Sequence, residues 1–192
     1  AKPYHWQTDT AIARNSWCYT DSLEYKTSEE IIQYLADVTA KNGNLLLNVG
    51  PKADGTFAGE DLSILLDIGE WLRVNGEAIY GSKPWRVAEE GPTRETEGMF
   101  TDSAATIYTP QDIRFTSGNG AIYAIVLKCP DDGRIDIRSV ISADDKNQLI
   151  IKKVSILGSD QNAEYTVDTC GLHIVSKGLK SRFPVAVKIE TE

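Results

Sequence analysis

The run Asn44-Leu45-Leu46-Leu47-Asn48-Val49, closed by Gly50-Pro51, decides the fold of the first half of this chain. Its leucines occupy consecutive positions instead of alternating with polar residues, which is the pattern of a strand buried on both faces in a parallel sheet. Upstream, Ile31, Ile32, Leu35 and Val38 share one stripe of a helix predicted over 27–41. Thr27 and Glu30 have the spacing of a capping box, Glu29 suits the N-terminal dipole, and Asn42-Gly43 supplies the stop. Downstream, Leu62, Leu65, Leu66, Ile68 and Leu72 predict the apolar stripe of a second helix over 60–74, ended by Asn75-Gly76. Positions 4–10 alternate aromatic and polar residues and read as a preceding strand. Helix, buried strand and helix with short connections make an α/β unit. Two strands cannot close a sheet by themselves, since open edges carry unpaired backbone groups. The first 80 or so residues therefore read as the tail of a larger α/β domain.

The character changes near 81–85. Strands are predicted over 112–116, 121–128, 134–140, 150–157, 163–168, 171–176 and 184–189. Ser117-Gly118-Asn119-Gly120, Asp131-Asp132-Gly133 and Gly158-Ser159 supply turns between them. Short strands at this spacing predict an antiparallel β-sandwich. The polar segment 89–102 reads as a loop over the domain junction, with Trp85 as the junction's anchor.

Composition narrows the function classes. The chain has 192 residues, 41% hydrophobic and 25% charged, a mix that builds a packed core. A net charge of −8 with no basic stripe argues against a nucleic-acid partner. No apolar run approaches the roughly 20 residues that span a bilayer, so no membrane partner is expected. Cys18, Cys129 and Cys170 form no CxxC pair, and His5 and His173 stand apart, so no metal site is expected. The loop 50–55 has glycines without the spacing of a phosphate loop.

Two stretches carry a resemblance to a known family. Trp6-Gln7-Thr8-Asp9-Thr10 followed by Ser16-Trp17-Cys18-Tyr19 resembles the WQTDTSI and SWGY segments of glycoside hydrolase family 29 α-L-fucosidases. Lys41-Asn42-Gly43-Asn44-Leu45-Leu46-Leu47-Asn48-Val49-Gly50-Pro51, with Asp54-Gly55-Thr56 behind it, is similar to that family's KNGNLLLNIGP and DGT segments. Gly69-Glu70-Trp71-Leu72, Asn75-Gly76-Glu77-Ala78-Ile79-Tyr80-Gly81 and Pro84-Trp85 continue the likeness in order. The resemblance implies the last strands and helices of a (β/α)8-like barrel over 1–83, followed by a C-terminal β-sandwich over 84–192. It also implies retaining hydrolysis of terminal α-L-fucosides without a cofactor. In that chemistry one carboxylate attacks the anomeric carbon while a second carboxylic acid protonates the leaving oxygen. The family carries both before the motif at 6–10. The nucleophile and the acid/base are therefore expected upstream of Ala1, and no catalytic residue is assigned within this chain, which alone is expected to be inactive. The expected partners are a fucosylated glycan, the upstream part of the same barrel and, at the level of assembly, a second copy of the chain. Family members are exported or lysosomal, so the resemblance alone implies an extracytoplasmic location.

The substrate-binding residues implied by the resemblance are Trp17, Trp6 and Gln7. The family uses the SWGY aromatic against the C5 methyl of fucose, a place where an apolar face rewards a methyl and leaves a hydroxyl unpaired. Core packing is the competing account of Trp17. Trp6 either packs or shapes the site entrance. Gln7 stands where some fucosidases carry Glu; an amide supplies no proton, so it either donates a hydrogen bond to the sugar or is structural. Asp9 lies at a predicted strand end, where barrel sites gather, but a capping role is preferred for it. Asn48 either braces the site floor or satisfies the following loop. Glu70 and Glu77 read as solvated or capping carboxylates, and Trp71 as helix core. Cys18 replaces the family's usual Gly; if that position needs φ > 0, the cysteine strains the loop and shifts Trp17. The competing functions are a scaffold or carbohydrate-binding module, and a family relative with altered sugar specificity. Tyr108, Tyr123 and Tyr165 are too scattered to make an aromatic platform, which disfavours an independent lectin.

Overall fold

The computed structural model describes residues 1–94, 105–141, 149–159 and 163–192. The first half is a β-α-β-α unit: β1 (Trp6–Ala11), α1 (Ser28–Ala40), β2 (Gly43–Asn48) and α2 (Gly59–Asn75). Strands β1 and β2 pair in parallel, from Trp6 opposite Gly43 to Ala11 opposite Asn48. Helix α1 starts on the predicted capping box: the Glu30 N–H donates to Thr27 Oγ1 at 3.2 Å and the Thr27 N–H to Glu30 Oε2 at 2.7 Å. It ends through Asn42 in the left-handed conformation, at φ 71°. Gly43 has a different task. A β-carbon there would lie 2.6 Å from the Trp6 ring and 2.8 Å from Val38 Cγ1, so only glycine lets β2 start under that indole.

Two expectations for this unit need correction. Strand β2 is covered on one face only: Leu47 packs against the helices, whereas Leu46 stands 55% exposed on the other face. Within these residues the helices lie on a single side of the β1–β2 pair, so the leucine run has one partner layer here. The buried stripe of α2 is Ile64, Ile68 and Trp71, with Leu65 and Leu72 partly covered, while Leu62 and Leu66 face outward. Trp71 sets that rotation. Its large ring enters the core and its indole N–H donates to the Pro184 carbonyl at 2.7 Å.

The remainder folds as two antiparallel sheets. The larger has the order β3-β4-β5-β10-β7 and is built from β3 (Lys83–Glu90), β4 (Ile113–Gly118), β5 (Ala121–Val126), β7 (Ile151–Ile156) and β10 (Val185–Thr191). The smaller, β6-β9-β8, comprises β6 (Arg134–Ile137), β8 (Glu164–Asp168) and β9 (Gly171–Val175). All seven predicted strands of this part form; β3 is an additional one. Its Pro84 sits at the sheet edge, where a missing N–H costs no ladder bond, and its pairing with β4 shifts register between Pro84 and Glu89. Glu89 and Glu90 thus end a strand instead of opening a loop, and positions 95–102 of the predicted loop lie outside the described residues. Trp85 packs inside the sandwich, its ring centroid 5.2 Å from that of Phe115, so it does not anchor the junction.

The central strand β5 explains how the halves cohere. Ile122, Ala124 and Val126 face the smaller sheet and fill the sandwich core with Ile113, Phe115, Ile137, Leu172 and Val187. Tyr123 and Ile125 face the opposite way and share a second core with Ile31, Ile32, Ala36, Ile68 and Trp71 of the helices. The layers therefore run from the β1–β2 pair through the helices to the larger sheet and then the smaller one. Polar contacts close the seam. Gln33 Nε2 donates to the Leu127 carbonyl at 2.9 Å, and Thr116 Oγ1 to the Ala78 carbonyl at 2.7 Å. Fully buried Arg114 of β4 pairs through Nε with Asp37 of α1. Glu77 is more than a solvated or capping group: it receives Lys188 Nζ at 2.9 Å and the Tyr123 hydroxyl at 3.2 Å. Fully buried Asp112, just before β4, accepts from the N–H and hydroxyl groups of Thr93 and Thr109. Burial by itself raises the Asp112 carboxyl, but those donors outweigh it and hold it below the usual carboxylate range.

Candidate functional site

The chemistry-bearing residues divide between the two ends of the β1–β2 pair. At the C-terminal ends, residue 12 leaves β1 with the Ile12 N–H donating to the Asn48 carbonyl at 3.0 Å. The chain then turns outward through Asn15, Ser16, Trp17 and Cys18 before returning to α1. The Ala13–Tyr25 bridge and the Arg14 N–H to Glu24 carbonyl bond, 2.7 Å, fasten the base of this loop. Inside it, Asn15 Nδ2 donates to the Ser22 carbonyl at 2.9 Å and Ser16 Oγ accepts the Cys18 N–H at 3.1 Å.

Trp17 presents its indole at this end, 50% exposed, so core packing does not describe it. Its carbonyl accepts Asn48 Nδ2 at 2.8 Å, which answers what that amide does at the end of β2. Cys18 is exposed, carries a free thiol and is not among the residues with positive φ. The replaced glycine therefore brings no left-handed strain at this position. Beneath the loop, a β-carbon on Gly50 would lie 2.7 Å from the Tyr19 nitrogen and 2.9 Å from the Cys18 carbonyl carbon. Lys52 Nζ stands 5.5 Å from the Tyr19 ring centre. Asp54, in the turn that follows, accepts the Thr56 hydroxyl at 2.7 Å and its N–H at 3.0 Å, and these donors hold its carboxyl below the usual range.

Gln7 and Asp9 point to the face of β1 that no helix covers. They are in register with Asn44 and Leu46, and all four are exposed. Trp6 lies elsewhere. It begins β1, so it sits roughly 16 Å from that strand's C-terminal end at about 3.3 Å per residue. There its indole N–H donates to the Lys41 carbonyl at 2.9 Å, with Lys2 Nζ 4.6 Å above the ring. Ala1 precedes β1 at this same far end and is exposed. The geometry thus gathers Trp17, Cys18, Tyr19, Asn48 and Gly50 at one end, and sets Trp6 at the other. The roles of Asn48 and Gly50 in holding the loop were legible only as residue types at a strand end.

Other candidates resolve differently. Among the described residues, no group of three or more His, Cys, Asp or Glu is arranged to hold a metal ion. His173 on β9 stands between two carboxylates: Nδ1 lies 2.6 Å from Asp136 on β6 and Nε2 lies 3.1 Å from Asp168 on β8. Both carboxylates raise its pKa above the ordinary histidine value, the hydrogen bond with Asp136 being the largest single cause. Tyr108 and Tyr123 are buried, while Tyr165 is exposed on the edge strand β8. Glu70 makes an exposed ion pair with Arg73 at 2.8 Å. Among the described residues, no helix is long and apolar enough to cross a membrane.

The comparisons with known proteins agree along the length of the chain. The α-L-fucosidase family model matches residues 1–77, and the α-L-fucosidase C-terminal domain model matches 107–188. The tissue alpha-L-fucosidase of Rattus norvegicus is 32% identical over 168 residues, covering 86% of this chain and 31% of that protein. The alpha-L-fucosidase of Dictyostelium discoideum is 38% identical over 115 residues, covering 60% of this chain and 21% of its own length. The structure of Thermotoga maritima alpha-fucosidase in complex with a mechanism-based inhibitor superposes with a TM-score of 0.73 at 29% identity, covering 100% of this chain and 40% of that one. The chain spans about a third of the length of the Rattus norvegicus relative. With both family models matched in order and the fold shared, the chain belongs to the α-L-fucosidase family, glycoside hydrolase family 29.

Proposed function

We propose that these residues work within a retaining α-L-fucosidase that removes terminal α-L-fucose from glycans. Residues 1–83 would be the closing part of its (β/α)8-like barrel and residues 84–192 the sandwich that braces it. The observation that carries this reading is the exposed Trp17 indole at the C-terminal end of a parallel strand pair. That end is where (β/α)8 barrels gather their active sites. Fucose has a methyl group on C5 where galactose has a hydroxymethyl. An indole face set against C5 gains by covering that methyl and would leave a hydroxyl without a partner. Gln7 faces the uncovered side of β1 and would donate a hydrogen bond to the sugar. The indole N–H of Trp6 is already engaged by Lys41, which supports a packing role for Trp6 at the far end of the barrel.

The reaction itself needs two carboxyl groups about 5 to 5.5 Å apart, one as nucleophile and one as acid and then base. In the whole enzyme these would come from barrel segments upstream of Ala1, outside the third that this chain matches. The sandwich acts as a scaffold in this reading, because Tyr108 and Tyr123 are buried and Tyr165 lies on the edge strand β8, so among the described residues the three build no shared sugar platform. A relative named plasma alpha-L-fucosidase, from Homo sapiens and 34% identical over 138 residues, supports an extracytoplasmic location. The test is release of 4-nitrophenol from its α-L-fucoside, with a β-galactoside as control. The whole enzyme should turn over the fucoside only, and the 192-residue chain alone should turn over neither. Fucose release by the isolated chain at a rate near that of the whole enzyme would overturn this assignment, and with it the placing of the catalytic pair before Ala1.

A further inference from the structure

We infer that Asn48 and Gly50 are positioning residues that fix where Trp17 stands, and so set how strictly the site prefers a C5 methyl. The inference rests on the fucose-pocket reading of Trp17 given above. Four contacts from one short segment grip one short loop. Asn48 donates its amide to the Trp17 carbonyl at 2.8 Å, and its own carbonyl takes the Ile12 N–H at 3.0 Å where the loop begins. Gly50 lies so close beneath Cys18 and Tyr19 that no side chain fits. Lys52 reaches over the Tyr19 ring.

These contacts matter because of what Trp17 lacks. The residue is half exposed, so packing holds its side chain only in part, and the placement of the indole depends also on the placement of its backbone. A hydrogen bond from a strand end is a rigid anchor, whereas a loop closed only on itself could slide. The Asn48 side chain emerges at the last residue of β2, whose backbone is locked by pairing with β1. The clamp thus transmits the register of the sheet to the indole.

Two measurements test this. In the chain labelled with 5-fluorotryptophan, four fluorine resonances arise from Trp6, Trp17, Trp71 and Trp85, and Trp17→Phe identifies its own. Asn48→Asp removes the amide donor at constant size, and Gly50→Ala pushes the same backbone from below. Each should shift or broaden the Trp17 resonance while leaving those of Trp71 and Trp85 in place. An unmoved Trp17 resonance in both variants would overturn the clamp. Movement of all four in both would assign these residues to the fold at large, and would overturn it equally. In the whole enzyme, the ratio of kcat/KM for the 4-nitrophenyl α-L-fucoside to that for the α-L-galactoside, which adds the 6-hydroxyl, reports methyl preference. Asn48→Asp should lower that ratio about fivefold, the size of one lost hydrogen bond. A residue serving only stability would lower both values together. If Trp17→Ala lowers the ratio and neither clamp variant does, the positioning role fails while the pocket reading stands. If Trp17→Ala leaves the ratio unchanged, the pocket reading fails, and the specificity role of Asn48 fails with it.

Discussion

Removing the Asp37 carboxylate tests whether the α/β unit and the sandwich fold as one body. Arg114 is fully buried on β4, and its guanidinium has few partners: Nε pairs with Asp37, and Nη1 donates to the Ile113 carbonyl at 3.3 Å. Its Nη2 makes no hydrogen bond, with Glu89 Oε2 3.7 Å away. The Tyr108 ring lies 5.4 Å from the guanidinium carbon. Asp37→Ala would leave this charge in the interior with Glu89, its side chain 29% exposed, as the acidic group beside it among the described residues. Breaking a buried pair from one side costs about 3–5 kcal/mol, and Glu89 offsets part of that, so about 3–4 kcal/mol is expected here. At about 2–4 °C per kcal/mol for a chain of this size, Tm should fall by roughly 6–16 °C. The paired replacement Asp37→Leu with Arg114→Met should recover most of the loss, because apolar side chains of similar volume replace such pairs at little net cost. Urea denaturation followed by far-UV circular dichroism and tryptophan fluorescence reads both halves at once. Loss of less than about 1 kcal/mol in Asp37→Ala would refute the reasoning, as would a double variant no more stable than the single one.

Trp71 offers a second test of the same seam. Trp71→Phe keeps most of the ring and strands the Pro184 carbonyl, at a cost of about 1–3 kcal/mol in urea denaturation. Trp71→Ala should cost about 3–5 kcal/mol; equal stability of the Phe variant and the parent would mean that the indole N–H contributes nothing. His173 gives a pH dependence with a definite sign. Its folded pKa is raised, so its contribution is complete below the ordinary value near 6.5 and fades as pH rises through the folded value. The urea midpoint should therefore drift downward between pH 6 and 8, and His173→Gln should flatten that drift; an NMR titration placing His173 at or below the ordinary value would contradict it.

Much of the architecture was legible locally. The capping box at Thr27 and Glu30, the Asn42 stop, the leucine run and the turn glycines each act within a few residues, and each formed the kind of element it predicts. Strand β3 was not among the predicted strands, although the alternation of Trp85 and Val87 was a signal for it; Pro84 lies within it. A proline's cost depends on whether its N–H side meets another strand, and at a sheet edge it does not.

The candidate site was legible as residue types and motif, since Trp17, Gln7 and Asn48 could be named before any geometry was known. Their grouping was not. That Asn48 bonds Trp17, 31 positions away, and that Trp6 stands at the opposite strand end, follow from the parallel register. The sequence by itself determined the kinds of elements, their order and the family. Only the tertiary structure decided which way each apolar stripe turns: Trp71 inward and Leu62 outward, Leu47 covered and Leu46 bare. Periodicity states that a face exists, but the layer opposite decides whether that face is buried. Arg114 is the sharpest instance. Nothing near it in the chain marks a buried charge, because its counter-ion lies 77 positions away on α1 and meets it only when helix and sheet pack together.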